Sequence, residues 1–226
     1  LNLATDSTSS TSGALIVDGG VGIAKKLFVG TDLDVDGTTN LDAVDVDGAV
    51  NFAADVTFAD GADIITASAG TSNLRLGVNA GNLIESGGNF NVVVGDEAGT
   101  ALTTGDNNTA IGFEALKTED ADGNNTAIGY QALKTLNAGA SGFNTAVGVA
   151  SGTAMTTGVK NTLVGHGSGA ALTNADFNIA IGFGSLNSDT LGSKSIAIGE
   201  QALNAQNFTT ATNSFNTAVG HVAGLA

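Results

Sequence analysis

The chain has no cysteine, no proline and no tryptophan, a single methionine, and seven basic residues against 22 acidic ones. Without cysteine there are no disulfides and no thiolate metal sites, and the redox compartment stays open. Aromatics make up 5% of the residues, and the 42% apolar share is inflated by alanine and short aliphatics. Large side chains supply most of the burial of an ordinary core, about 150–250 Å² for each aromatic. This composition therefore predicts a thin, repetitive core. The scarcity of Lys and Arg limits the partners. Net charge is −15 and the basic residues are scattered, whereas phosphate neutralisation needs them clustered, so nucleic acid and anionic membrane surfaces are not expected partners. Apolar runs are too short to span a bilayer, and no basic segment precedes an apolar one as in a leader. The first residue is leucine rather than methionine, which suggests a processed or excerpted piece.

Glycine, by contrast, is abundant at 33 residues, and its placement is periodic. A landmark glycine follows two or three small or aliphatic residues at Gly77, Gly95, Gly112, Gly129, Gly148, Gly165, Gly182, Gly199 and Gly220, spaced 17 to 21 apart. Nine units thus run from about residue 71 to residue 226, the mark of a stacked-rung or solenoid architecture. Four residues beyond each landmark stand Gly81, Gly99, Leu116, Leu133, Gly152, Gly169, Leu186, Leu203 and Gly224. Gly95 and Gly165, Gly112 and Gly182, and Gly129 and Gly199 are each 70 apart, so a block of four rungs is duplicated. Shared ancestry accounts for the Gly-Gly-Leu-Leu order. The alternative is that leucine rungs thicken the core or form an apolar ridge for a partner.

Within a unit, "NTAIG" reads as a short strand of β-branched and small residues that glycine ends in a turn. Stretches such as "TTGDN" and "KTEDADGN" supply the Gly, Asn and Asp of turns. Helix is disfavoured by the glycine density and by the lack of a sustained 3.6-residue apolar period. The expected fold is all-β, a repetitive β-solenoid or β-roll over residues 71–226. Only four or five positions per unit are convincingly apolar, and a lone coil with little core and long edges invites aggregation. Three chains around a common axis remove both problems, so an intertwined or side-by-side homotrimeric fibre is expected. The Asn and Thr of "NTA" recur at Asn108/Thr109, Asn125/Thr126, Asn144/Thr145, Asn161/Thr162 and Asn216/Thr217, and read as a ladder holding rungs in register. A flat threonine array would suit ice, but Ile179 and Ile196 interrupt it.

The repeat resembles the head of trimeric autotransporter adhesins, built from short units of the "NSVAIG" type. The match lies in "NTAIG" (108–112 and 125–129), "NTAVG" (144–148 and 216–220), "NTLVG" (161–165), "NIAIG" (178–182) and "SIAIG" (195–199). It implies a trimeric parallel β-roll, although the unit here is longer than that family's. Residues 1–30 read as a β-hairpin or joining segment, with apolar runs Ala14–Val17 and Ile23–Val29 around "DGGVG". A dinucleotide site is not expected there, because GxGxxG fails at Lys25 and no helix follows. With "STSSTSGAL" before it, this block resembles a segment of tail-fibre and other virion structural proteins of bacteriophages, particularly those of cyanobacteria, over about the first 40 residues. That resemblance implies a structural role in a virion.

Residues 31–70 form a third pattern, an acidic stack of short strands. Leu33/Val35, Val44/Val46, Val50/Phe52 and Val56/Phe58 alternate with polar residues, as half-buried strands do. Nine carboxylates and no Lys or Arg fall between Asp32 and Asp63. Asp32, Asp34 and Asp36 imitate the start of an EF-hand loop, yet its twelfth position is Ala43 and Leu33 and Val35 belong to a strand. The cluster reads as an acidic solvating face. Weak Ca²⁺ binding between stacked Asp rows is the alternative, and no other cofactor is expected.

No catalytic constellation is expected. His166 and His221 each follow a landmark glycine, in a slot that other rungs fill with Asp96, Phe113, Tyr130, Val149, Phe183 and Glu200. So diverse a filling marks an outward, variable position. No carboxylate is placed to orient His166, and histidines 55 apart lack metal-ligand spacing. Glu114, Glu119 and Asp120 offer paired carboxylates for glycan hydrolysis, but read as turn residues because sister rungs carry Gln131, Leu136 and Asn137. Phe113, Tyr130 and Phe183 form an intermittent aromatic row suited to sugar rings, with core packing as the alternative. The sequence thus reads as a non-enzymatic structural fibre, a homotrimeric rod of a phage tail in the virion. Its expected partners are further copies of itself, other tail or fibre proteins, and a host cell-surface glycan or protein. The head of a bacterial cell-surface adhesin is the alternative, and a glycan-degrading β-helical enzyme the third reading.

Overall fold

The computed structural model describes residues 69–139 and 141–224, together with Ile23, Ala24, Leu27 and Val29. Apart from those positions, the hairpin expected over 1–30 and the acidic segment over 31–70, with Asp32, Asp34 and Asp36, lie outside the described residues. The chain divides into two compact units, 1–57 and 58–226, and the second carries every strand described.

The repeated motif folds as a three-residue strand in each unit. These are β1 (Leu74–Leu76), β2 (Val92–Val94), β3 (Thr109–Ile111), β4 (Thr126–Ile128), β5 (Thr145–Val147), β6 (Thr162–Val164), β7 (Ile179–Ile181), β9 (Ile196–Ile198) and β11 (Thr217–Val219). In addition, β8 (Gly192–Ser193) pairs with β10 (Thr212–Asn213) inside the longest connection. The nine main strands form one parallel sheet in chain order, each aligned residue for residue with the next. This is a β-solenoid of nine rungs wound within a single chain, about 40 Å long at about 4.8 Å per rung. No helix is present among the described residues.

Strand alternation decides what faces inward. In β2 to β7 and in β9 the middle residue is buried and its two neighbours are more exposed. Ala110, Ala127, Ala146, Leu163, Ala180 and Ala197 therefore point into the core, all 0% exposed. The asparagine before each strand also points inward, from Asn91 to Asn178. A buried amide is costly unless its hydrogen bonds are met, and here they are met rung by rung. Asn144 Oδ1 accepts the backbone N–H of Asn161 at 2.9 Å, and Asn161 Oδ1 accepts that of Asn178 at 2.9 Å. Each Nδ2 donates to a carbonyl across the coil, Asn144 to Gly158 and Asn161 to Ala175, both at 2.8 Å. The ladder thus runs through the asparagines, while Thr lies on the outside. The thin core closes within one chain, because alanines let the walls approach and asparagines satisfy the backbone.

All nine landmark glycines have φ between 125° and 137°. Side chains are further barred by space: from Gly77 to Gly199, an added Cβ would lie 2.4–2.8 Å from the carbonyl group of the next rung's glycine. The close stacking and the open φ both require glycine.

The Gly-Gly-Leu-Leu order has a packing cause. The position four residues after the landmark holds a left-handed backbone in every rung, with φ from 47° to 70°. Where it is glycine, the residue three further on is Ile84, Leu102, Met155 or Leu172. A Cβ added at Gly81, Gly99 or Gly169 would lie 2.7–2.8 Å from the tip of Ile84, Leu102 or Leu172. The long side chain therefore folds over the glycine. Where the position is leucine, the later slot is polar in three rungs, with Glu119, Asp189 and Gln206, while Leu136 is buried beside Leu133 in the fourth. In all but the Leu133 rung, one large apolar residue serves the two positions, as dense core packing demands.

Candidate interaction face

The outward strand positions carry only Thr, Ile, Val and Leu, from Leu74 in β1 to Val219 in β11. No charge falls on this face of the sheet, although the whole chain carries −15. In-register pairing stacks Thr109 on Thr126 and Ile111 on Ile128, so the two outward rows run straight along the axis. β-branched side chains pack well on such a surface and keep it flat.

Two aromatic rows run along the ends of the strands. After the landmark glycines come Phe113, Tyr130 and Phe183, exposed at 40%, 48% and 53%. Phe113 and Tyr130 stack with ring centres 5.6 Å apart, and His166 stacks on Phe183 at 5.2 Å. These rings are on the surface, not in the core. His166 and His221 sit three rungs apart, and His221 lies 3.6 Å from Glu200 on the neighbouring rung.

The second row precedes the inward asparagines. It contains Phe90, Phe143, Phe177 and Phe215, all exposed and all at positive φ. Lys160 lies 5.0 Å over the Phe177 ring and Lys194 lies 5.3 Å over that of Phe215, a cation–π geometry. Along β5 to β11 this row alternates Phe143, Lys160, Phe177, Lys194, Phe215. The sequence reading missed it. Its signal was the recurring dipeptide Phe-Asn at 90–91, 143–144, 177–178 and 215–216.

The acids divide into two environments. Glu114 accepts from Lys117 at 2.7 Å, Lys134 at 2.6 Å and the Gln131 amide at 2.7 Å, while Lys117 also pairs with Glu97. Hydrogen bonds from Lys117, then Lys134 and Gln131, hold the Glu114 carboxyl at about 2, well below its usual range, and raise the Lys117 ammonium. This network locks three neighbouring rungs together. Glu119 is different: it is 0% exposed, inside the coil rather than on a turn surface as the sequence suggested. Asp120 next to it is on the surface.

No protein-family model, curated protein or solved structure matches this chain. Fold and face together place it among parallel β-solenoids wound from one chain, here with a flat uncharged sheet face edged by aromatic rows.

Proposed function

We propose that this chain is a rod-forming segment of a phage tail fibre in the virion, a homotrimer that spaces or presents the part contacting the host. The observation that supports it is the uncharged outer sheet face on a chain of net charge −15. Acidic copies repel one another except where the surface is uncharged, so a second and third copy are the natural cover for this face. The three-residue strands make this uncharged strip roughly 40 by 10 Å, and the two aromatic rows, which also carry Asp96, Lys160, Lys194 and Glu200, lie outside it. Trimerisation is then a matter of covering a face, since each core already closes alone. Aromatic rings along the strand ends offer planar surfaces to host glycans. The head of a trimeric surface adhesin is the second reading, favoured by the "NTAIG" strands that end on a glycine turn. It assigns the molecule the same mechanical role.

Light scattering on the purified chain tests the proposal. The expected mass is three times the 22.1 kDa of one chain. Ile128→Lys on the middle of the face is expected to give a monomer with unchanged β-type circular dichroism, whereas a monomeric wild type overturns the trimer. A glycan array probes the host contact: binding is expected, and Tyr130→Ala should weaken it.

A further inference from the structure

One slot of the core distinguishes the two halves of the duplicated block. Stacked along the axis, seven residues after the landmark glycines Gly77 to Gly199, are Ile84, Leu102, Glu119, Leu136, Met155, Leu172, Asp189 and Gln206. Glu119 therefore lies between two leucines, both 0% exposed. Its counterpart 70 residues on is Asp189, also 0% exposed. Asp189 is fully served. It accepts from the Gly192 N–H at 3.0 Å, the Phe208 N–H at 2.9 Å and the Gln206 side-chain amide at 2.5 Å.

At Glu119 the same three positions hold Asp122, Ala138 and Leu136. The amide donor has become an apolar side chain, and glycine has become a second carboxylate. Neither Glu119 oxygen makes a hydrogen bond, nor does Asp122 Oδ2, and all three atoms are buried. The backbone N–H groups of Asp122 and Ala138 are close enough to offset part of the cost, without the geometry of hydrogen bonds. Carboxylate oxygens of Glu119, Asp120 and Asp122 lie within 4.8 Å of one another. Burial, with Asp122 beside it, pushes the Glu119 carboxyl up to about 7. A buried carboxylate facing another carboxylate takes up a proton or a cation, and Lys117, the one basic residue between β3 and β4, is committed to Glu97 and Glu114.

We propose that Glu119, Asp120 and Asp122 hold a Ca²⁺ ion at the corner between β3 and β4. All three donors are hard carboxylate oxygens, the set that calcium takes and that softer metals do not select. Their spread fits one ion with oxygens about 2.3–2.6 Å away. Asp120 is exposed, which leaves the outer coordination positions to water. The ion does for Glu119 what Gln206 and two backbone amides do for Asp189. Relief of the slot from core filling by Leu116 is what lets a carboxylate stand there at all.

The test is thermal unfolding of the full chain in EDTA, in CaCl₂ and in MgCl₂, for the wild type, Glu119→Gln and Asp122→Gly. Asp122→Gly installs the residue that the sister rung already tolerates. Nine carboxylates between Asp32 and Asp63 give a background response to calcium, which comparison with the variants subtracts. The wild type is expected to gain several degrees in millimolar Ca²⁺, for a dissociation constant of about 10⁻⁴–10⁻³ M. Both variants should lose that gain, and Mg²⁺ should not reproduce it. Asp122→Gly combined with Leu136→Gln is expected to raise the midpoint in EDTA and abolish the response. A wild-type shift no larger than that of the variants, or no shift, overturns the site.

Discussion

At Gly148 the backbone stands at φ 137°, and an added Cβ would lie 2.5 Å from the Gly165 carbonyl oxygen of the next rung. Gly148→Ala is expected to cost about 3 kcal/mol, from backbone strain and from opening the stack, measured by urea unfolding. Asn161→Ala leaves the Asn178 N–H and the Ala175 carbonyl without their partner. Two buried orphans predict a loss of about 2–4 kcal/mol in the same measurement. Glu114 gives a pH signature. Its carboxyl is lowered from 4.5 to about 2 by Lys117, Lys134 and Gln131, so the network contributes stability above about pH 5. That contribution falls as pH drops from about 5 to 2. The difference in unfolding midpoint between wild type and Glu114→Gln should shrink over that interval and vanish near pH 2. The glycines were readable because a residue fixed in every unit of a variable repeat must answer to the backbone. The burial of Glu119 was not, since a turn-like string "KTEDADGN" does not show which side chain the coil turns inward.

At the scale of the rung, Leu116 and Glu119 stand at the two positions that Gly99 and Leu102 hold in the preceding rung, where Leu102 folds over the glycine. Leu116→Gly alone is expected to cost about 2–5 kcal/mol as a core truncation. Adding Glu119→Leu converts the rung to the other type and should recover most of that loss. A double-mutant cycle measures the coupling, and additive effects would contradict the exchange. The strands and their glycine ends were legible in "NTAIG", because alternation and β-branching act within three residues. The Gly-Gly-Leu-Leu order was visible, but its cause was not. Position four and position seven meet only when the coil has closed around them.

Across the nine-rung unit, the in-register sheet lines up outer rows of Thr, Ile, Val and Leu that carry no charge. The sequence showed the solenoid through its period, yet placed Asn and Thr together in one ladder. Only the fold separates them, Asn to the core and Thr to the face. The chain's lack of cysteine makes the central claim directly measurable. A cysteine at Ile128 lies on the outer face, and one at Ala205 on an exposed turn. The decisive experiment is thiol labelling and oxidative cross-linking of Ile128→Cys and Ala205→Cys, followed by denaturing gels. If copies meet through the sheet face, Ile128→Cys is protected from thiol reagents and cross-links between chains, while Ala205→Cys labels freely and stays single. Equal labelling at both positions, with no cross-linked band from Ile128→Cys, contradicts the account.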